Sequence, residues 1–284
     1  MKILITIVMG LLVVGCGKKT EKLIANHIVE RAIRYELKKP TDELTKADLE
    51  KVTELTLCDN QLTELPEGLE KLTQLKTLWL YDNQLTDVKG LENLTQLKRL
   101  ILHDNQLTDV KELESLTQLK VLELSNNQLT DVKGLENLTQ LTNLYLDDNK
   151  LTNVKGLAEL TLLKKLQLED NQLTDVKGLE KLTKLELLYL DHNQLTDVKG
   201  LEKLTKLKEL YLGSNQLTNV KGLERLTQLY FLGLTDNKLT DVKDLEKHTQ
   251  LEVLRLQSNP DLTKAQIDEL KKALPKCKIQ SNAK

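Results

Sequence analysis

Between Val52 and Asn259 the apolar residues recur on one fixed plan. In the stretch Leu75 to Thr95, LKTLWLYDNQLTDVKGLENLT, they are Leu75, Leu78, Leu80, Leu85, Val88, Leu91 and Leu94, with Asn83 set among them. From Thr77 to Leu80 the pattern alternates with the period of a strand, so Leu78 and Leu80 point to one side and Thr77 and Trp79 to the other. Asp82-Asn83 marks a turn. Val88, Leu91 and Leu94 then return the chain at a spacing of three, which suits extended chain or a 3₁₀ turn rather than an α-helix. One such coil cannot bury its own leucines. Stacked coils make a continuous core, with the strands paired as a parallel sheet about 4.8 Å apart.

The plan repeats almost to the C-terminus. Asn83, Asn105, Asn127, Asn149, Asn171, Asn193, Asn215, Asn237 and Asn259 are spaced by 22 residues, and Asn60 starts the series one residue out of step because of an extra residue around Pro66. A fixed period with L-x-x-L-x-L-x-x-N-x-L is the signature of the leucine-rich repeat. The expected fold is an α/β solenoid: a horseshoe of about ten 22-residue repeats, with the parallel sheet on the concave face, a 3₁₀ or extended convex face, and a helical cap at each end. The asparagines are expected to be structural. Each sits inside a turn, and its amide can both donate and accept, so successive residues can form a ladder that satisfies the turn's backbone.

The segments outside the array read as leader and caps. Lys2 and the apolar run Ile3 to Val14 form a signal peptide, residues 1–15, too short to span a bilayer. Val13-Val14-Gly15-Cys16 resembles the lipobox of bacterial lipoproteins, which implies cleavage before Cys16 and lipidation of its sulfur and new amine. The alternative is a plain secretory leader with an incidental Cys16. Gly17, where an Asp would imply inner-membrane retention, is compatible with the outer membrane. Residues 16–20 are a polar tether. Residues 21–51 are an N-terminal cap: one helix over Leu23 to Lys39, stopped by Pro40, and a second opened by the capping box Thr45-Lys46-Ala47-Asp48. The array runs over 52–259. Residues 260–284 are a C-terminal cap, with a second capping box at Thr263-Lys264-Ala265-Gln266, a helix ended by Pro275, and a last short strand near Cys277 and Ile279. Cys58 and Cys277 belong to opposite ends, on the order of 40 Å apart by strand spacing, so they are expected as free thiols.

The repeat LTDVKGLEKLTKL with NQL at the turn, and the cap segment AIRYELKKPTDELTKADLEKVTELTL, resemble the internalin-type class of bacterial leucine-rich repeats. That resemblance implies a binding protein of the bacterial envelope whose ligand contacts the concave sheet. With the lipobox, it implies a lipid-anchored protein at the outer membrane or cell surface, held there through Cys16.

Comparing the repeats with one another separates scaffold from display. The turn and return, such as Gln84 to Thr95, are nearly copied each time; the positions flanking the strand leucines differ most. Trp79, Tyr81, Tyr145, Tyr189, Tyr211, Tyr230 and Phe231 all lie in that strip, and only Tyr35 lies elsewhere. Two clusters follow: Trp79, Tyr81, Ile101 and His103 toward the N-terminal end, and Tyr145, Leu187, Tyr189, Tyr211 and Phe231 toward the C-terminal end. Exposed aromatics on a rigid sheet are the material of binding hot spots, for a protein or peptide and also for a glycan; the competing reading is that the rings only shield the sheet.

Other features narrow the chemistry. Asp147, Asp148, Glu169, Asp170 and Asp191 form an acidic strip that could hold Ca²⁺, although Asp before the turn Asn also serves the turn itself. Lys89, Lys111, Lys133, Lys155, Lys177, Lys199, Lys221 and Lys243 form a row, but Asp or Asn stands two residues before each, so the edge is expected to neutralise itself. Glu112 and Asp244 replace the usual Gly, which suggests that no special backbone conformation is needed there. His248 replaces a core Leu and reads as fraying toward the cap. With 41 basic and 43 acidic residues, the balance argues against nucleic acid as the main partner. No catalytic constellation, phosphate loop or cofactor motif stands out. The expected function is therefore a non-enzymatic envelope lipoprotein binding a ligand on its sheet, with a structural scaffold lacking a dedicated ligand as the alternative.

Overall fold

The computed structural model describes residues 22–283. The leader, the tether and the lipidation position Cys16 lie outside the described residues. Eleven strands of three residues each form one parallel sheet in strict chain order. They are β1 (Glu54–Thr56), β2 (Thr77–Trp79), β3 (Arg99–Ile101), β4 (Val121–Glu123), β5 (Asn143–Tyr145), β6 (Lys165–Gln167), β7 (Leu187–Tyr189), β8 (Glu209–Tyr211), β9 (Phe231–Gly233), β10 (Val253–Arg255) and β11 (Lys278–Gln280). The central leucine of each strand from β2 to β10 points inward, and all nine, from Leu78 to Leu254, are 0% exposed. Register never slips, because a shift of one residue would turn every leucine out to water. None of the helices among the described residues is long and apolar enough to cross a membrane.

The asparagines hold the coils together through the backbone, and the rungs run from side chain to main chain rather than from Asn to Asn. Asn171 is typical. Its Nδ2 donates to the carbonyl of Leu146 on the preceding coil at 2.9 Å and to Leu168 of its own coil at 3.2 Å, while its Oδ1 accepts from the Leu151 N–H at 2.9 Å. Asn60 has no coil before it. There the first helix, α1 (His27–Glu36), substitutes: Arg31 donates to Asn60 Oδ1 at 3.0 Å.

The return segments exist in two forms. Gly68, Gly90, Gly134, Gly178, Gly200 and Gly222 take φ between +93 and +114, a region that L side chains avoid. The N–H of each donates to the Glu two residues on, as in Gly134 to Glu136 at 2.8 Å. Where Glu112 or Asp244 replaces the Gly, the chain winds into a 3₁₀ helix instead, over Lys111–Ser115 and Lys243–Lys247. Lys155–Leu157 forms another where Ala158 replaces the Glu after Gly156, and in the first coil Leu69–Lys71 forms one directly after Gly68. This corrects the sequence reading. Glycine is dispensable at this position because the backbone changes, not because the conformation suits any residue.

One more expectation changes, and another is extended. His248 does not mark fraying: it is 0% exposed, and its Nε2 meets the Leu223 carbonyl of the preceding coil at 2.9 Å. A ring with one polar partner can therefore fill a leucine site. The Asp row beside the lysines neutralises them as expected at three positions, Lys89–Asp87 and Lys133–Asp131 at 3.4 Å and Lys177–Asp175 at 3.0 Å, and it also serves the turn. Asp87, Asp109, Asp131, Asp175, Asp197 and Asp241 accept the backbone N–H of the Lys two residues on, at 2.9 to 3.4 Å, and Asn153 and Asn219 do the same. Asn can replace Asp because the acceptor matters more than the charge.

The capping boxes act as expected, but the first helix is shorter than the Leu23 to Lys39 reading: it spans His27–Glu36 and ends at Leu37, before Pro40. α1 starts at Asn26, whose Oδ1 accepts from the Ile28 and Val29 N–H groups, and it buries Val29 and Ile33. The capping boxes Thr45/Asp48 and Thr263/Gln266 open α2 (Lys46–Leu49) and α3 (Lys264–Ala273). Cys58 and Cys277 are free and half-buried, near β1 and β11 at opposite ends of the sheet.

Candidate ligand-binding face of the sheet

Side chains on either side of each buried strand leucine emerge on the sheet's outer face. Strand register arranges them in columns. Trp79, Ile101, Glu123, Tyr145, Gln167, Tyr189, Tyr211, Gly233 and Arg255 share one column on successive strands from β2 to β10. Neighbours in a column stand one strand spacing apart, close enough for planar rings to stack.

The C-terminal cluster forms as the sequence predicts. Tyr189 and Tyr211 stack with centroids 4.3 Å apart and an interplanar angle of 11°. Phe231 starts from the neighbouring column on β9, yet its ring stacks on Tyr211 at 4.4 Å. Gly233 makes this possible: a Cβ there would lie 3.3 Å from the Phe231 ring. Lacking a side chain, Gly233 leaves its place in the column to Phe231. Arg255 continues the series, its guanidinium 5.1 Å from the Phe231 centroid. On the other side, the Lys165 ammonium lies 4.7 Å from the Tyr145 ring and 5.6 Å from the Tyr189 ring. The result is a continuous file from β5 to β10: the Tyr145 ring, the Lys165 cation, three stacked rings and the Arg255 cation. Leu187 flanks it, half-buried on β7.

Glu209 anchors the polar tips. It accepts from the Tyr211 hydroxyl at 2.8 Å and from the Tyr230 hydroxyl. That hydrogen bond, together with burial, pushes the Tyr230 phenol up to about 12. Burial, reinforced by Glu209, raises Tyr211 as well. Both phenols therefore stay protonated and present neutral rims across the physiological range.

The N-terminal cluster is smaller than expected. Tyr81 and His103 stack at 4.8 Å and 10°. His103 Nδ1 lies 2.6 Å from Asp104 Oδ2. Burial opposes the Asp104 carboxylate, but hydrogen bonds from His103 and Asn126 outweigh it and hold the carboxyl below its ordinary range. Trp79 is half-buried. Ile101 is only 3% exposed, which corrects its assignment as a contact residue. It stands in register between Trp79 and Glu123, two larger side chains, and has little surface left to offer.

The acidic strip divides in two. Asp148 and Asp170 have φ of +51 and +53, a conformation Asp tolerates better than most residues. Asp147, Glu169 and Asp191 occupy display positions instead. Burial raises Glu169 and Asp191 above the ordinary carboxylate range, and nearby carboxylates add to it. Among the described residues no group of three or more His, Cys, Asp or Glu side chains is placed to hold a metal ion.

Sequence reasoning found the rings but missed Lys165, Arg255, Glu209 and Gly233. Gly233 carried a readable signal, as the single glycine in a column of large side chains. The others required knowing where flexible side chains settle.

Regular coils, an asparagine at every turn and one parallel sheet define a class, and the chain belongs to the leucine-rich repeat family. The family model described as Leucine Rich repeats (2 copies) matches residues 50–93, 95–137, 117–159, 161–203, 183–225 and 205–247. Within the family the chain is internalin-like. It is similar to internalin C2 from Listeria monocytogenes, with a TM-score of 0.71 and 36% identity over 75% of this chain and 95% of that one. It is also similar to the Listeria monocytogenes internalin InlF, with a TM-score of 0.63 and 27% identity over 92% and 90%. The ectodomain of the Arabidopsis thaliana receptor kinase GASSHO1/SCHENGEN3, solved in complex with Casparian strip integrity factor 2, matches with a TM-score of 0.68 and 27% identity over 84% of this chain and 31% of that one. No curated protein matches.

Proposed function

We propose that this chain is a non-enzymatic, lipid-anchored protein of the bacterial cell envelope that binds a protein ligand on the outer face of its sheet. Trp79, Tyr81, His103, Tyr145, Leu187, Tyr189, Tyr211 and Phe231 supply the contact surface. The observation that carries the reading is the Tyr189–Tyr211–Phe231 stack. It puts rigid apolar surface, already ordered, on positions the scaffold leaves free to vary. The same stack favours a protein over a glycan. Sugars pack on ring faces, and these faces are covered by one another and by Lys165 and Arg255. The lipid anchor rests on Val13-Val14-Gly15-Cys16, and localisation at the outer membrane or cell surface follows from it.

The covered ring faces also support the second reading, a scaffold whose aromatics only shield the sheet. One experiment separates the two. Binding partners are crosslinked in intact cells, identified, and titrated against the wild type and Tyr189→Ala/Tyr211→Ala/Phe231→Ala. The binder reading expects at least a hundredfold loss; unchanged affinity supports the scaffold. The anchor is tested by metabolic labelling with an alkyne-tagged fatty acid, which Cys16→Ser should abolish.

A further inference from the structure

The edge of the sheet where the strands begin carries a row of lysines that the fold does not require. Lys76, Lys98 and Lys120 lie on consecutive coils, and Lys164 follows after Thr142. Backbone bonds set them in line: the Lys98 N–H donates to the Lys76 carbonyl and the Lys120 N–H to the Lys98 carbonyl, both at 2.8 Å. In other coils the same position holds Thr53, Glu186, Tyr230, Glu252 and Cys277, so no backbone demand selects lysine. A side chain here reaches over the outer face, as the Tyr230 hydroxyl does in meeting Glu209 of the neighbouring strand.

Lys76, Lys98, Lys120 and Lys164 are exposed, and none of them makes an ion pair among the described residues. The cations around them are engaged: Arg99 pairs with Glu123 at 2.8 Å, Lys208 with Glu186 at 2.6 Å, and Lys165 lies over the Tyr145 and Tyr189 rings. The opposite edge, where the strands end, has the opposite sign. From β2 to β6 the two residues after the last buried leucine of each coil include Asp82, Asp104, Asp147, Asp148, Glu169 and Asp170, and neither Lys nor Arg. Over these coils the sheet face is therefore polarised across its width.

Between the two edges lies a floor that includes Trp79, Val121 and Tyr145, each half-buried. Its width runs from Lys76 to Tyr81, about 17 Å of extended chain. An α-helix with its side chains is about 10–12 Å across. A helix laid along the coil stack therefore rests on the floor with one flank toward each edge.

We propose that the partner presents an amphipathic α-helix along β2 to β6, with Asp or Glu on the flank facing Lys76, Lys98, Lys120 and Lys164 and neutral or basic residues on the flank facing the carboxylate edge. This rests on the sheet face being the binding surface and names the form and charge of what it binds. Spacing selects a helix. Successive lysines of the row stand one strand spacing apart, so Lys76, Lys98 and Lys120 lie at about 0, 4.8 and 9.6 Å along the stack. Residues i, i+3 and i+7 of a helix share a face and lie at about 0, 4.5 and 10.5 Å along its axis. An extended chain presents the same side only every second residue, about 6.7 Å, and is out of step by the third lysine. Charge selects a protein over a phosphate or sulfate polymer, because the carboxylate edge repels a ligand that is anionic all round.

The test is selection on the full chain of a phage library that displays a helix with one randomised face on a three-helix-bundle scaffold, followed by titration of the recovered binders. Three variants accompany the wild type: Lys76→Gln/Lys98→Gln/Lys120→Gln/Lys164→Gln, the turn-side control Lys89→Gln/Lys133→Gln/Lys177→Gln/Lys221→Gln, and Trp79→Ala/Tyr145→Ala. The expected binders carry Asp or Glu at i, i+3 or i+4, and i+7. They lose at least about tenfold in affinity on the first variant, the combined loss of several exposed pairs, and less than about twofold on the control, which removes as much charge. Added salt should narrow the difference between the wild type and the first variant. The substituted lysines are exposed, so the first variant should melt with the wild type, which excludes misfolding as the cause. Binders without spaced acids, or an unchanged affinity for the first variant, overturn this inference. So does retention of the wild type on heparin at physiological salt that the first variant loses, which would assign the row to a polyanion. If binders that ignore the lysines still depend on Trp79 and Tyr145, the sheet remains the binding surface; if they ignore those rings as well, the proposed function falls too.

Discussion

Replacing Asn171 with Ala removes one rung from the middle of the stack. The side chain is 8% exposed and serves two coils. The Leu146 carbonyl keeps a second donor, Asn149 at 3.1 Å, and the Leu168 carbonyl keeps Asn193 at 2.9 Å. The Leu151 N–H has no such reserve, because its partner is Asn171 Oδ1 at 2.9 Å. Stranding one buried donor costs about 1–3 kcal/mol, and the weakened carbonyl bonds add about 1 kcal/mol. The sum is roughly 2–4 kcal/mol, large against ordinary protein stability. Asn60→Ala is the comparison. That side chain is half-exposed and ends the series, and water can replace its bonds to Cys58 and Arg31, so its loss costs about 1 kcal/mol or less. Equilibrium urea unfolding followed by circular dichroism measures both. Equal effects of Asn171→Ala and Asn60→Ala would refute the claim that the ladder works by satisfying buried backbone.

Further outcomes follow from the same geometry. Gly134→Ala, at φ +93 with a Cβ only 2.5 Å from the Val110 carbonyl oxygen, should destabilise by about 3 kcal/mol; Gly90→Ala, at φ +100 with its nearest neighbour 3.8 Å away, should cost about 1 kcal/mol by thermal melting. Gly233→Val should push Phe231 off Tyr211 and weaken the near-ultraviolet circular dichroism while the melting temperature changes little. For pH, a carboxyl whose folded pKa is raised destabilises the fold above that pKa and is relieved on protonation. Asp147→Asn/Glu169→Gln/Asp191→Asn should therefore be more stable than the wild type at pH 7. The gap should close as pH falls through the raised Glu169 and Asp191 values toward about 4; a gap that widens on acidification contradicts the repulsion argument.

The array was legible because every coil must satisfy the same constraint. Leu78, Leu80, Leu85, Val88, Leu91 and Leu94 recur in copies, and a repeated pattern averages out the ambiguity of any one segment. The capping boxes at Thr45 and Thr263 were legible because they depend on neighbours three residues apart. What escaped depended on space rather than spacing. His248 looked out of place until its Nε2 met the Leu223 carbonyl. Glu112 and Asp244 looked tolerated until the backbone around them proved to be 3₁₀. On the sheet face the rings announced themselves by column, but the reach of Lys165 across to Tyr145 and Tyr189 is a choice of rotamer that no periodicity encodes. The covering of Ile101 likewise depends on the size of what stands beside it.

The fold separates a uniform scaffold from one face free to vary, the face on which we propose that a partner binds. A photocrosslinking amino acid placed at Tyr189 on the sheet face, and in a parallel strain at Lys177 on the turn side, tests that separation in intact cells. A discrete adduct from position 189 and none from position 177 is the predicted result; adducts from position 177 alone, or from neither position, would contradict it.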